Sequence, residues 1–246
     1  MSSWWLRGTS LLGIALLWAL AAWIAASPVL PSPLAVLINA WQHALSGELP
    51  YHLSTTLGRV LVSFLLAMGI GTAIGILMGR YRKLDVALDG ALVLGLNLPA
   101  LVTVILCYIW FGLTDVAAVL AVALNKIPTV VVTVREGARA VNTELLDVAR
   151  AYRLPALRTL CKVYLPQLYP YLMAAARNGL ALIWKIVLVV ELLGRSNGVG
   201  FQLYSYYQFF DITAILAYTL AFATVILLIE GLVMRPLDRH LTRWRG

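Results

Sequence analysis

The chain has 246 residues, 61% of them hydrophobic and only 12% charged, with a formal net charge of +8 and a mean hydropathy of +0.87. A soluble domain carries about 25% charged residues, so a water-soluble globular fold is excluded. Apolar helices that satisfy their own backbone in lipid are required, at about 20 residues per crossing.

The first predicted span covers 11–30, "LLGIALLWALAAWIAASPVL". Its Arg7 flank and the run "AAWIAAS" also fit a signal peptide. The chain begins at Met1 with the segment in place, and a retained span is expected. Residues 31–53 follow, with Leu34, Leu37, Ile38 and Trp41 at helical spacing between prolines. That run is short and interrupted, so it is predicted to lie along the membrane surface rather than to cross. Further spans are predicted at 55–79, 86–113, 116–134, 171–193 and 212–234. The expectation is an all-α polytopic membrane protein of six crossings in a single domain, 1–246.

Orientation follows from the basic residues. With the N-terminus inside, Arg7, Arg80, Arg82, Lys83, Arg135, Arg139, Arg150, Arg153, Arg158, Lys162, Arg235, Arg239, Arg243 and Arg245 are cytoplasmic, and Arg195 is outside. Arg59, Lys126, Arg177 and Lys185 fall within spans. Both termini are therefore expected in the cytoplasm. Basic residues confined to loops beside spans answer to topology and anionic headgroups, which argues against nucleic-acid binding. Cys107 and Cys161 offer neither a disulfide nor metal-ligand spacing.

Catalytic chemistry finds little support. His43, His52 and His240 sit in predicted surface segments without a ligating neighbour, and no GxSxG or HExxH run occurs. No catalytic or metal site is expected, and each histidine reads as solvated or interfacial. "GIGTAIGILMG" lacks the GK[ST] of a nucleotide loop. Gly71, Gly75 and Gly79, at steps of four, instead make a small-residue face for close helix packing.

One polar stretch interrupts the apolar chain. Residues 144–154 form a short predicted helix with Leu145, Ala149 and Tyr152 on one face, and Pro155 opens a second helix where its missing N–H costs nothing. "LPQLYP" is expected to turn the chain back into the next span. A plain linker is shorter than this, and a loop with its own two-helix structure points to function.

The stretch "ELLDVARAYRLPALRTLCKVYLPQLYPYL" resembles the cytoplasmic EAA loop of the inner-membrane permeases of ATP-binding-cassette importers. The family pattern is an acidic-Ala-Ala triplet, a glycine four residues on and an Ile-x-Leu-Pro close. Asp147, Val148 and Ala149 stand at the triplet, and Val163, Leu165 and Pro166 at the close. Arg153 stands where the family has glycine, which bears on the bend between the two helices. "LPSPLAVL", "IWFGL" and "VELLGRSNGVGFQL" are similar to the branch that imports nitrate, bicarbonate, sulfonates and taurine.

The resemblance implies that Asp147, Val148, Ala149, Arg150, Tyr152, Arg153 and Leu154 belong to a coupling helix seated in a groove on an ATPase subunit. It further implies two permease copies, two ATPase subunits that carry the ATP and Mg, an external solute-binding protein, and a place in the bacterial inner membrane.

A transport pathway has candidates among the residues within spans. Lys126 and Lys185 each cost about 2.5–3.5 kcal/mol at span centre unless paired or facing water. Asp89 and Glu230 fall at the inner depth, near Arg177, and Asp115, Glu191 and Asp211 at the outer, near Arg59, so no acid shares the depth of the two lysines. A passing anion is one counter-charge; snorkelling, a backbone carbonyl freed by Pro128, or a partner-facing position for Lys185 are the other readings. Asn97 and Pro99 mark a broken helix of the kind that lines cavities. Gly194, Gly198 and Gly200 read either as an outer gate or as a tight turn. The aromatics of 204–210 read as an interfacial belt. The function expected is import of a small anion by alternating access; a passive channel and an importer of neutral or cationic compounds are the alternatives.

Overall fold

The computed structural model describes residues 3–242. Arg243 and Arg245, and the side chains of Arg7, Arg239 and His240, lie outside what it describes. Among the described residues all regular structure is helical: α1 Ser3–Ala25, α2 Pro33–Leu45, α3 Glu48–Arg80, α4 Arg82–Asn97, α5 Ala100–Phe111, α6 Asp115–Arg139, α7 Thr143–Ala151, α8 Ala156–Thr159, α9 Leu165–Gly194, α10 Val199–Gln208, α11 Ile212–Ile229 and α12 Arg235–Thr242. Widened π-type turns at Leu160–Tyr164 and Glu230–Met234 join α8 to α9 and α11 to α12.

The centre is α3 against α6. Their closeness comes from the glycine stripe: a Cβ placed on Gly71, Gly75 or Gly79 would stand 2.7, 2.8 or 2.5 Å from the Cβ of Val130, Val134 or Ala138. Helix association in lipid has no hydrophobic drive and depends on such backbone proximity. α9 then closes on α6, with Val104, Cys107, Ala121, Val122, Ile183, Trp184, Val187 and Tyr218 forming the main core.

Helix α2 is a separate short helix of 13 residues. Val36 is fully buried, whereas Leu34, Leu37, Ile38 and Trp41 point away from the rest of the chain. The segment ends earlier than expected, because Gly47 takes φ +80° and Glu48 starts the next helix. His52 accordingly belongs to α3 and is buried, not solvated. His43 is half-buried beside Glu48.

Among the described residues four helices are long and apolar enough to cross a membrane: Glu48–Arg80, Asp115–Arg139, Ala156–Gly194 and Ile212–Asp238. The expected third span is not straight. Its halves, α4 and α5, meet at 98°. Leu98, held extended at ψ 124° by the proline after it, ends α4, and Pro99 caps α5. At the N-terminus α1 ends at Ala25, five residues before the expected end of the first span, and its 23 residues include the apolar run Leu12–Ala25. The six expected crossings correspond to four long helices, one bent pair and the N-terminal α1, which is tied to the chain by the Trp18 indole donating to the Pro31 carbonyl at 3.0 Å.

The turn expected at 165–170 is absent. Residues Ala156–Gly194 run as one 39-residue helix. Pro166 falls in the first turn of α9, where its missing N–H follows directly on the widened π turn, so the axis continues instead of reversing.

Candidate functional site

Three sites lie along Ala156–Gly194, at its loop end, in its middle and at its far end.

At the loop end, the Asn142 side chain caps α7 by accepting from the amides of Glu144 and Leu145 at 2.8 and 3.4 Å. The helix ends in a Schellman motif. The Leu154 amide donates to the Ala149 carbonyl at 3.0 Å and the Arg153 amide to the Arg150 carbonyl at 2.8 Å. Arg153 sits at φ +50°, the left-handed conformation glycine adopts most cheaply. The bend survives without glycine.

The predicted face of Leu145, Ala149 and Tyr152 is corrected here. Ala149 is buried at the edge of that face, whereas Leu145 and Tyr152 beside it, together with Val148, are exposed. Tyr152 is 79% exposed. Asp147 and Arg150 pair with each other at 2.8 Å. Arg153 is exposed and Leu154 half-buried. The result is an apolar tip with charged flanks, pinned to the long helix. The Gln167 side chain accepts from the Asn142 amide at 2.8 Å and donates to the Val163 carbonyl at 2.9 Å, and Leu146 packs on Tyr164 and Leu168.

In the middle, α6 and α9 frame a cleft of about 440 Å³ lined by Lys126, Thr129, Thr133, Ala175, Asn178, Ala181 and Leu182. Lys126 is 97% buried by its 3% exposure. Its stem lies over Gly179, where a Cβ would come within 3.1 Å of the Lys126 Cε. No acid lines the cleft, and among the described residues Lys126 has neither a salt bridge nor a side-chain hydrogen bond. Thr129 and Thr133 spend their protons on the carbonyls of Lys126 and Thr129 at 2.8 and 3.0 Å, leaving lone pairs for the cleft.

Lys185 is not beside Lys126. It is exposed on α9, three residues beyond Leu182, on the continuation of the cleft-lining face. Asn97 and Pro99 are exposed and do not line the cleft. They approach it through α4, whose Gly95 packs against Pro128, two residues from Lys126. The sequence reading missed Asn178, Thr129 and Thr133. An asparagine within a span, at helical spacing from Ala175 and Leu182, is the sequence signal for the first.

At the far end, the glycine loop is held tight. Glu191 is fully buried and accepts from Arg59 Nη1 at 2.6 Å, from the Thr56 hydroxyl at 2.9 Å and from the Gly200 amide at 2.9 Å. Arg59 also donates to Asp115 at 2.8 Å, to the Asn197 carbonyl at 2.9 Å and to the Asn197 side chain. The amides of Gly198 and Val199 donate to His52 Nδ1 and Thr56 Oγ1 at 3.0 and 2.8 Å. Gly198, at φ +106°, has room for no side chain because a Cβ would overlap the Glu191 carboxylate. Gly194 lies flat on Tyr108 and Gly200 on the Leu188 carbonyl. These contacts favour the tight-turn reading of the loop.

The other acids sort as follows. Asp115 and Glu191 do partner Arg59, but Asp211 caps α11 through the Ala214 amide instead. Glu230 lies 3.4 Å from Arg177, whereas Asp89 pairs with Arg135 at 3.1 Å.

Residues 71–244 match the protein family described as the binding-protein-dependent transport system inner membrane component. The chain is 33% identical, over 91% of its length and 80% of the relative's, to a Bacillus subtilis protein that bears the name aliphatic sulfonates transport permease protein SsuC. It is 28% identical to the taurine transport system permease protein TauC of Escherichia coli, over 97% of this chain and 89% of that one. Among solved structures, an inward-facing form of the MetNI methionine ABC transporter superposes with a TM-score of 0.69 at 19% identity, covering 80% of this chain and 98% of that one, a likeness of fold.

Proposed function

The chain belongs to the family of binding-protein-dependent transport inner-membrane components, and from that premise we propose that it moves a small anion through the cleft beside Lys126 when an ATPase subunit pushes on α7. It is a permease component of an ABC importer and a multi-pass membrane protein. The names of its relatives, sulfonate and taurine permeases, support a substrate that bears a sulfonate or a similar oxyanion.

The observation that carries the substrate reading is the solitary Lys126. A buried ammonium without a counter-charge is costly in lipid, and with no acid in the lining the Lys126 charge and the Asn178 carboxamide N–H suit an oxyanion better than a cation, although the Thr129 and Thr133 hydroxyls are already spent as donors within the helix. Lys185, on the extended cleft face, supplies a second positive charge along the route. Asn97 and Pro99 act at one remove, by setting α4 against Pro128.

Two copies of the permease pair across the open side of the cleft. Two ATPase subunits carry ATP and Mg, with the tip Leu145, Val148 and Tyr152 in the groove of each, Asp147 and Arg153 at its rim, and Arg150 on the far side of α7, held by Asp147. The loop end and both termini face the cytoplasm, in keeping with the basic residues. The solute-binding protein delivers at the end formed by Gly194, Gly198 and Gly200, and no covalent chemistry takes place in this chain.

The test is ATP hydrolysis by the complex in lipid discs with its solute-binding protein, against nitrate, bicarbonate, alkyl sulfonates, taurine and neutral amines. The expected result is stimulation by one anion, lost in Lys126→Met while basal hydrolysis persists. Stimulation by a neutral or cationic compound, unchanged in Lys126→Met and Lys185→Ala, overturns the anion reading. Substrate flux that survives deletion of 147–154 overturns the ATPase-coupled mechanism in favour of a passive channel.

A further inference from the structure

Behind the coupling helix lies a second cavity, of about 670 Å³, that the transport reading leaves unused. Its walls are the ends of α3 (Gly79, Arg80) and α6 (Ala138, Arg139), Val141 in the loop that follows, the inward face of α7 (Thr143, Leu146, Arg150) and residues from the stretch Leu154 to Tyr164. On α7 this face lies opposite the exposed tip, since 143, 146 and 150 alternate with 145, 148 and 152 around the helix. A ligand here and an ATPase on the tip would therefore grip the same short helix from its two sides.

The lining is chemically one-sided. Three arginines face the space and no acid does. Arg139 is satisfied by Asp85 and Glu136, and Arg150 by Asp147. Arg80 has no carboxylate partner among the described residues and rests only against the Tyr81 ring at 5.7 Å. A second observation points the same way. Tyr164 is 91% buried by its 9% exposure, lines the cavity, and its hydroxyl has no hydrogen-bond partner. Buried hydroxyls are nearly always paired, so this one waits for an acceptor. The Thr143 and Thr159 hydroxyls add two more donors on the rim.

We propose that this cavity binds a phosphate-bearing anion, with Arg80 as its main charge partner, the Tyr164 hydroxyl as its buried donor, and Arg139 and Arg150 as supplementary contacts. Guanidinium groups suit phosphate because they present paired donors to its oxygens. Two sources share this chemistry: the headgroup of an anionic phospholipid, which basic pockets beside the cytoplasmic leaflet attract, and free inorganic phosphate. Assigning the cavity to that leaflet rests on the orientation proposed above. The binding itself does not.

The experiment uses the full chain, purified in neutral detergent and in lipid discs, so that both faces are open whatever the orientation. In one arm, retention of spin-labelled phosphatidylglycerol is compared with that of phosphatidylcholine. In the other, inorganic phosphate is titrated against thermal unfolding, with sulfate at matched ionic strength as control. Preferential retention of phosphatidylglycerol, reduced about five-fold by Arg80→Gln as expected for one arginine at an anionic surface, identifies the lipid source. Stabilisation by phosphate beyond sulfate, lost in the same variant, identifies the free anion.

Tyr164→Phe keeps the packing and removes only the hydroxyl; it must weaken whichever binding is seen. Arg82→Gln, outside the cavity, must not. Equal retention of both lipids together with no effect of phosphate overturns the proposal, as does loss in Arg82→Gln equal to that in Arg80→Gln. A failure here leaves anion-stimulated hydrolysis and Lys126 untouched, so the two readings fall separately.

Discussion

Replacing Arg59 by methionine should strip the far end of its organising charge. The guanidinium holds Glu191 at 2.6 Å, Asp115 at 2.8 Å and the Asn197 carbonyl at 2.9 Å. After its loss Glu191 keeps only the Thr56 hydroxyl and the Gly200 amide, and it has no exposure through which to hydrate. Breaking a buried ion pair on one side costs about 3–5 kcal/mol, because a charge stays behind unpaired. Asp115 is 60% exposed and contributes little of this, since solvent replaces its partner.

The Arg59→Met, Glu191→Leu double variant removes both charges and should recover much of the loss, as apolar replacement of buried pairs does. The assay is reversible unfolding of the full chain in mixed micelles, followed by tryptophan fluorescence, for the two single variants and the double. Losses that simply add in the double variant would refute the claim that Arg59 acts mainly by neutralising Glu191.

Three further outcomes are expected. Gly75→Ala places a Cβ 2.8 Å from Val134 Cβ and 2.9 Å from the Val131 carbonyl, so it should lower stability by about 1–3 kcal/mol through overpacking, measured in the same unfolding assay; Gly58→Ala, which meets nothing within 4 Å, is the control. Arg153→Gly should raise stability by up to about 1 kcal/mol and slow amide exchange at Leu154, while Arg153→Val should lower it by about 1–2 kcal/mol, the usual difference at a left-handed position. Tyr152→Ala should weaken co-purification of the ATPase subunit about ten-fold or more, as loss of an exposed aromatic anchor does, without changing the melting of the isolated chain.

Much of the architecture is written in local patterns. Glycines at steps of four can do little else in lipid than bring two helices together, and the stripe 71, 75, 79 does so against α6. Charges at matching depth announced the Arg59 cluster. What stayed hidden depends on backbone geometry that side-chain identity does not determine. A proline permits both a 98° break, as at Pro99, and a continuous helix, as at Pro166 behind a π turn. Only packing chooses between them.

The same limit explains Ala149. By spacing it shares a face with Leu145 and Tyr152, and only the packing of α7 on the long helix decides that the buried edge of that face falls at Ala149. Lys126 and Lys185 looked equivalent because both sit among apolar neighbours, and only the placement of α9 buries one and exposes the other. Lys126 was flagged by its cost in lipid. Asn178 costs less to bury and was passed over.

If an ATPase pushes on α7 as proposed, the long helix, held at Glu191, works as a lever. At about 1.5 Å per residue, its 35 residues of working arm from Glu191 to Ala156 measure roughly 52 Å, and Asn178 stands roughly 20 Å from the fulcrum. A displacement of the loop end is therefore geared down to about two-fifths at the cleft and multiplied in force by the inverse ratio. The α-helical hydrogen bonding of the arm is interrupted at the widened turn Leu160–Tyr164. On that mechanism, stiffening or loosening it changes how much of each stroke reaches Lys126 without altering a residue that lines the cleft.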